Sequence, residues 1–244
     1  MNPTTRASIT AVCAAVIAAT GFLGVRWLGL ALALGMVLFA AGWPELLRVP
    51  HRRVSAAVVG LGGLLALATV VMGDSEPYLR YMVIAIAAIV IASLATEIFV
   101  PSPAGRAAGA VAATAAGGTI AATGAAWLAA GRTVGAEDLV VASAAAMALA
   151  AVASVLTRNG TANAIIAFAV GIGAGAALAY LFDSLPWYAG VLVGGIGAAS
   201  VVLMNELARR EPPATSLWAG IASGVTPVLA VGALVYLGGR LLVG

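Results

Sequence analysis

Apolar runs of about twenty residues recur along this chain with charges confined to the joints between them, and no other feature limits its fold so strongly. A helix rises about 1.5 Å per residue, so roughly 20 residues cross the ~30 Å hydrocarbon layer of a bilayer. Within that layer every backbone polar group must be satisfied inside the segment. The runs fall at about 8–25, 27–43, 54–72, 81–100, 107–130, 139–157, 161–182, 187–207 and 215–239. The expected fold is therefore all-α: a polytopic transmembrane bundle of about nine helices forming one domain over 1–244. A globular domain would be roughly 25% charged, whereas this chain is 9% charged and 63% hydrophobic, too little to solvate a water-facing surface.

The few charges set an orientation. All twelve cationic residues are arginines, and positive residues gather on the cytoplasmic side of alternate joints. With the N-terminus inside, the inner joints hold Arg6, Arg48, Arg52, Arg53, Arg106, Arg158, Arg209 and Arg210, and the outer joints only Arg26, Arg80, Arg132 and Arg240. The outer joints also collect Asp74, Glu76, Glu137, Asp138 and Asp183. The expectation is a multi-pass plasma-membrane protein, N-inside and C-outside. The densest cluster, "RVPHRR" at 48–53, reads as the cytoplasmic turn between the second and third helices, with His51 a solvated member of it. Trp27, Trp43, Tyr78, Tyr81, Phe99, Trp127, Trp187, Tyr188, Trp218 and Tyr236 lie near helix ends, as interfacial belts require. A net charge of +3 spread over many joints does not make the clustered basic face of a nucleic-acid binder, so no nucleic-acid partner is expected.

Arg6 ahead of an apolar core resembles a signal peptide, but the next run follows after only Arg26, so a retained first helix is expected. Cys13 is the single cysteine and offers no disulfide or multi-cysteine metal site.

Small residues at intervals of three and four mark the fifth helix ("AGAVAATAAGGTIAATGAAW"), the seventh ("GIGAGAAL") and the eighth ("GVLVGGIGAAS"). Such faces let backbones approach closely in lipid, which places these three helices at the expected bundle centre. Nine spans divide as four, one and four, and the two quartets would then have inverted topology, a transporter-like layout. Helices three and eight align as its internal match, each with a Gly-rich start, an apolar run and a closing Glu-Pro (Glu76-Pro77 and Glu211-Pro212).

No ionisable group sits at mid-span. Glu97, Asp183 and Glu206 lie near helix ends, where each can snorkel to the interface. The polar features nearest the bilayer centre are "AAGGTIA" with Thr119 and "ASGVTPVLA" with Ser223, Gly224, Thr226 and Pro227. Pro227 cannot donate, so it releases the Ser223 carbonyl, and unwound backbone flanked by hydroxyls is how many transporters hold a substrate. Thr119, Ser223, Thr226 and Pro227 are thus the candidate substrate-binding residues; the plainer alternative is a proline kink re-satisfied by Thr226 or a neighbouring helix. On the inner face Arg52, Arg53, Arg106, Arg158, Arg209 and Arg210, together with Arg48, Asn159 and Asn163, could bind an anionic lipid headgroup, although positive-inside anchoring predicts the same arginines without a ligand. "NGT" at 159–161 matches the glycosylation pattern but falls on the cytoplasmic side. Phosphate-loop, metalloprotease and serine-hydrolase motifs are missing, and no cofactor or metal is expected.

"GWPELL" with Pro50 following, and the C-terminal "GVTPVLAVGALVYLGGRLL", are similar to stretches of uncharacterised small polytopic membrane proteins of high-GC actinobacteria. The resemblance implies a membrane location and carries no established activity or site residue. Three functions stay open: a small permease or flippase-like transporter with a pathway among helices five, seven, eight and nine; a non-enzymatic subunit or scaffold that docks a membrane-protein partner; and a lipid-modifying enzyme using the inner arginines with Glu97 or Glu206. Membrane lipids are the expected partners of each.

Overall fold

The computed structural model describes residues 2–182, 185–210, 214 and 216–242, and over these the only regular structure is helical. The helices are α1 (Pro3–Leu23), α2 (Val25–Leu46), α3 (Arg52–Val71), α4 (Met82–Phe99), α5 (Ala107–Arg132), α6 (Glu137–Ala153), α7 (Gly160–Leu181), α8 (Trp187–Arg210) and α9 (Leu217–Leu242). Eight are long and apolar enough to cross a membrane, and α6, at 17 residues, is the shorter exception. The protein is thus a polytopic helical bundle of the integral-membrane type. Asp183 and the Glu211-Pro212 pair lie outside the described residues.

Local chemistry explains the joints. A single residue, Gly24, reverses the chain between α1 and α2 at φ 114°, a conformation that side chains with a Cβ rarely adopt. Glu137 and Asp138 open α6, where carboxylates complement the positive end of the helix dipole. Asn159 caps α7, its side-chain oxygen accepting from the N–H groups of Thr161 and Ala162. The helix ends gather on two faces of the bundle. Hydrogen bonds from Arg6 to Asn205, from Asn205 to Ser154 and from Arg106 to Arg48 tie together the face that carries the start of α1. Eight of the twelve arginines belong to its helix ends and joints, so it is termed here the arginine-rich face.

The centre agrees with the expected one at α5 and differs from it at α7 and α8. α5 and α9 form the core pair and α6 is enclosed beside them, whereas α7 packs on α6 and α8 at the edge, as α4 packs on α3 and α5 at the other. The small residues of α5 face three different neighbours: a Cβ on Gly117 would strike the Trp43 ring of α2, one on Gly118 the Ile89 side chain of α4, and one on Gly124 the Leu229 side chain of α9. Those of α7 serve one neighbour. Gly171 and Gly175 meet Gly190 and Gly194 of α8 so closely that a Cβ on Gly175 would overlap the Gly190 carbonyl. The stripe on α7 therefore bonds a peripheral helix to α8 and does not mark a centre.

The division into four, one and four is also replaced. α5 packs with α3 and α4 as one unit, in which the first and third helices touch and the second lies outside; α6, α7 and α8 repeat that arrangement in the opposite direction. α2 accompanies α3 as α1 accompanies α6, and α9 stands between the units, packed on α5 and α8. The true counterpart of α8 is α5, not α3. Gly117, Gly118, Thr123 and Arg132 of α5 recur with identical spacing as Gly194, Gly195, Ser200 and Arg209 of α8.

Trp43, Trp127 and Tyr236 are not belt residues. All three are buried, and each indole donates to a backbone carbonyl of another helix, Trp43 to Ala113 at 2.8 Å and Trp127 to Val228 at 2.8 Å. The indoles sit inward because glycines leave them sockets, Gly117 against Trp43 and Gly232 against Trp127. Trp27, Tyr81, Phe99, Trp187, Tyr188 and Trp218 remain exposed.

Gly175→Leu separates α7 from α8 and lowers stability by about 1–3 kcal/mol or more, the cost of overpacking. Gly173→Leu, two residues away in a position where a Cβ would meet nothing within 4 Å, leaves the midpoint unchanged. Thermal unfolding of the two variants in detergent checks the pair.

Candidate functional site

The proline of α9 sits at the best-bonded place in the bundle. α9 continues through Pro227 without unwinding, so the expected break in the helix is not there. The hydroxyl of Thr226 turns back to the carbonyl of Ala222 at 2.7 Å. Three other helices donate to the surrounding carbonyls: Thr10 of α1 to Gly224 at 2.7 Å, Ser200 of α8 to Pro227 at 3.0 Å, and Thr123 and Trp127 of α5 to Leu229 and Val228. These donors tie α9 to its neighbours on both sides of Pro227, at carbonyls other than that of Ser223, the one the proline releases. Thr226 and Pro227 are buried and Ser223 is half-buried. Thr119 is half-buried on α5 and spends its hydroxyl on Ala115 of its own helix. Among the described residues no hydrogen bond joins Thr119 to the Ser223, Thr226 and Pro227 group.

The arginines divide by task. Arg106 donates to the Arg48 carbonyl at 2.7 Å and His51 bonds the Pro101 carbonyl at 3.1 Å, so these residues clamp the 47–51 joint to the 100–106 joint. Arg52 pairs with Glu45 at 3.3 Å. Arg53 and Arg158 are exposed without an ion pair among the described residues. Arg209 and Arg210 share Glu206 at 3.7 and 3.4 Å. Glu97 holds the backbone N–H and hydroxyl of Ser102 at the far side of the same face, so Glu97 and Glu206 do not form one acidic site. Asn163 is likewise spent locally, bridging three groups of Thr157 across the α6–α7 turn.

The chemistry that remains lies at the arginine-rich end of α6, α7 and α8. A polar cavity of 280 Å³ is lined by Ser154, Gly160, Thr161, Asn163, Asn205, Glu206 and Arg209, with Ala164 and Val202. Arg6 stands behind it, donating to the Asn205 side chain at 3.0 Å while the Asn205 amide passes on to Ser154 at 2.9 Å. The Nε of Arg6 is buried without a partner, and Arg209 is within electrostatic range of it. Gly160 makes room for the Arg209 guanidinium, which a Cβ there would displace. Ala164, Val202 and Glu206 also line a second, apolar hollow that runs along the outside of α7 and α8 past Phe168, Ile172, Ala199 and Leu203. A polar pocket thus opens sideways into a greasy groove.

The opposite face has a groove of its own. A groove between α2, α3 and α5 is lined by Gly29, Leu30, Ala33, Leu67 and Leu128 with Arg26 and Arg132 at its end. α3 corresponds to α6 and α5 to α8, with Arg132 in the place of Arg209, but this groove is built with α2 and not with α4, the counterpart of α7, so it is not the equivalent of the groove on α7 and α8. Arg132 caps the end of α3, donating to the carbonyls of Val70, Val71 and Gly73, and lies 4.5 Å from the Tyr78 ring centroid. That task accounts for one arginine on the sparsely charged face. Sequence reasoning did not single out Arg6, Asn205 or Ser154 as a cluster; the recurrence of paired glycines, a hydroxyl and an arginine in the fifth and eighth helices was the signal that could have found it. Comparison with family models, with curated proteins and with solved structures returns no match to this chain.

Thr10→Val, Ser200→Ala and Trp127→Phe each remove one donor from α9. Interhelical hydrogen bonds in membranes average about 0.6 kcal/mol, so each variant loses about that much stability. Denaturation midpoints in mixed micelles measure the loss, and unchanged midpoints in all three contradict the role assigned to these bonds.

Proposed function

We propose that the protein is a small flippase-like permease of the plasma membrane that handles an amphiphile at the side of the bundle and not through its middle. The observation that carries this reading is the cavity at the arginine-rich end of α6, α7 and α8, which shares its wall with an apolar groove along α7 and α8. The units α3–α5 and α6–α8 run in opposite directions, and inverted units are the basis of alternating access in many transporters. A polar pocket joined to an apolar groove matches a molecule with a polar head and an apolar tail better than a wholly polar solute. Thr119, Ser223, Thr226 and Pro227 enter the reading as residues that hold α9 in register between the units. The arginine-rich face is the cytoplasmic one, with N-inside and C-outside, because positive residues are retained on that side.

The scaffold reading is favoured by one fact, the saturation of α9 with hydrogen bonds from α1, α5 and α8, which ties the two units together. Movement of lipid separates the two. Reconstituted in vesicles containing fluorescent phosphatidylglycerol in both leaflets, the protein exposes the inner-leaflet probe to dithionite, and bleaching exceeds the outer-leaflet share. Bleaching equal to that of protein-free vesicles removes the permease and leaves the scaffold.

Orientation has its own test. In a Cys13→Ser background, His51→Cys reacts with an impermeant maleimide in inverted vesicles but not in intact cells. Labelling in intact cells reverses the assignment of faces.

A further inference from the structure

We infer that the cavity of α6, α7 and α8 holds the headgroup phosphate of an anionic glycerophospholipid, with one acyl chain in the adjoining groove. This names the substrate class of the site used above and rests on the reading of that site as an amphiphile's seat, though not on any movement of the amphiphile.

Charge supports an anion. Arg6, Arg209 and Arg210 converge on this end of the bundle, against which stands the single carboxylate of Glu206, shared by two of them. Arg6 is partly buried and its Nε–H has no partner, so its charge is neutralised by no carboxylate among the described residues. Two guanidinium groups near one another repel, and a phosphate bonded to Arg209 in the cavity, with Arg6 behind its wall, would offset that repulsion. The start of α7 is not itself the anion site, because Asn159 already occupies the Thr161 and Ala162 N–H groups. The arginines are what is left to bind.

Shape selects a lipid over a free anion. About nine waters' share of liquid would fill the 280 Å³ cavity, which suits a headgroup, and it is not closed on the membrane side. Ala164, Val202 and Glu206 belong to both hollows, and beyond them the wall is Phe168, Ile172, Ala199 and Leu203. A soluble phosphate uses none of that wall; a diacyl lipid covers it while its phosphate reaches Arg209.

Native mass spectrometry of the full-length protein reads the retained ligand directly, with phosphatidylglycerol, phosphatidylcholine or glycerol 3-phosphate added in turn. Phosphatidylglycerol is retained over phosphatidylcholine, and Arg209→Gln or Arg6→Gln lowers that retention about tenfold, the scale of a charged hydrogen bond. Ala199→Trp, at an exposed groove position outside the packed interior, lowers it as well, whereas Arg53→Gln does not. Should Arg6→Gln fail to fold, the exposed Arg209 and Ala199 positions carry the test alone. Equal retention of the two lipids, glycerol 3-phosphate binding as strongly as the lipid, or an Arg53→Gln effect as large as that of Arg209→Gln overturns the inference. Selective binding without dithionite-accessible movement leaves the inference standing and removes only the permease.

Discussion

Helices immersed in lipid gain nothing from hiding apolar side chains from one another, because the solvent is as apolar as they are; what holds them is close approach and hydrogen bonding. In this protein both converge on α9. Its carbonyls receive Thr10, Thr123, Trp127 and Ser200 from three helices, and its Gly224 and Gly232 accept Ile9 and Trp127 with no room for a Cβ. A second contact of the same kind, Gly42 of α2 against the backbone of Trp218, fixes the arginine-rich end of α9. Without α9 the two helix units would be joined chiefly through α1 and α2, since α5 and α6 touch only modestly and α3 and α4 make no substantial contact with α7 or α8.

Much of the architecture was legible from sequence because it follows from one-dimensional rules. Charges interrupt the apolar runs where the chain must leave the hydrocarbon, so the helix order and most joints could be read directly. Which helices lie inside could be read for α5 but not for α6, α7 and α9. The glycine spacing of α5 and α7 looks alike on paper, yet one set admits Trp43, Ile89 and Leu229 and the other meets the backbone and Ala198 of α8, with Ala150 of α6 beside Gly171. Spacing shows that a gap exists; what fills it comes from elsewhere in the chain. Trp43 and Trp127 misled for a related reason. An indole needs a polar partner, which an interface supplies without any further information, and the carbonyls of Ala113 and Val228 that serve here are 70 and 101 residues away.

The end that carries the cavity was readable in part. Arg209 and Arg210 stood out as cations at a helix end, but so did Arg52 and Arg106, which go to Glu45 and to the Arg48 carbonyl. Arg6 looked like an orientation signal before the first span, and only folding brings it to Asn205, 199 residues on. The match of α5 with α8 was obscured because two apolar segments align readily, and helix three with its Gly-rich start offered a competing partner. The decisive positions are few: paired glycines, a hydroxyl aimed at α9 and a terminal arginine.

The shortness of α6 has a bearing on the bilayer itself. At about 1.5 Å per residue its 17 residues span only some 25 Å, less than an average hydrocarbon layer. Lipid scarcely meets it, because beyond its first residue only Leu149 and Val152 along its length are exposed. The hydrophobic girth seen by acyl chains is set by the longer outer helices, so a thicker membrane need not stretch to suit α6 and a thinner one is not required for it.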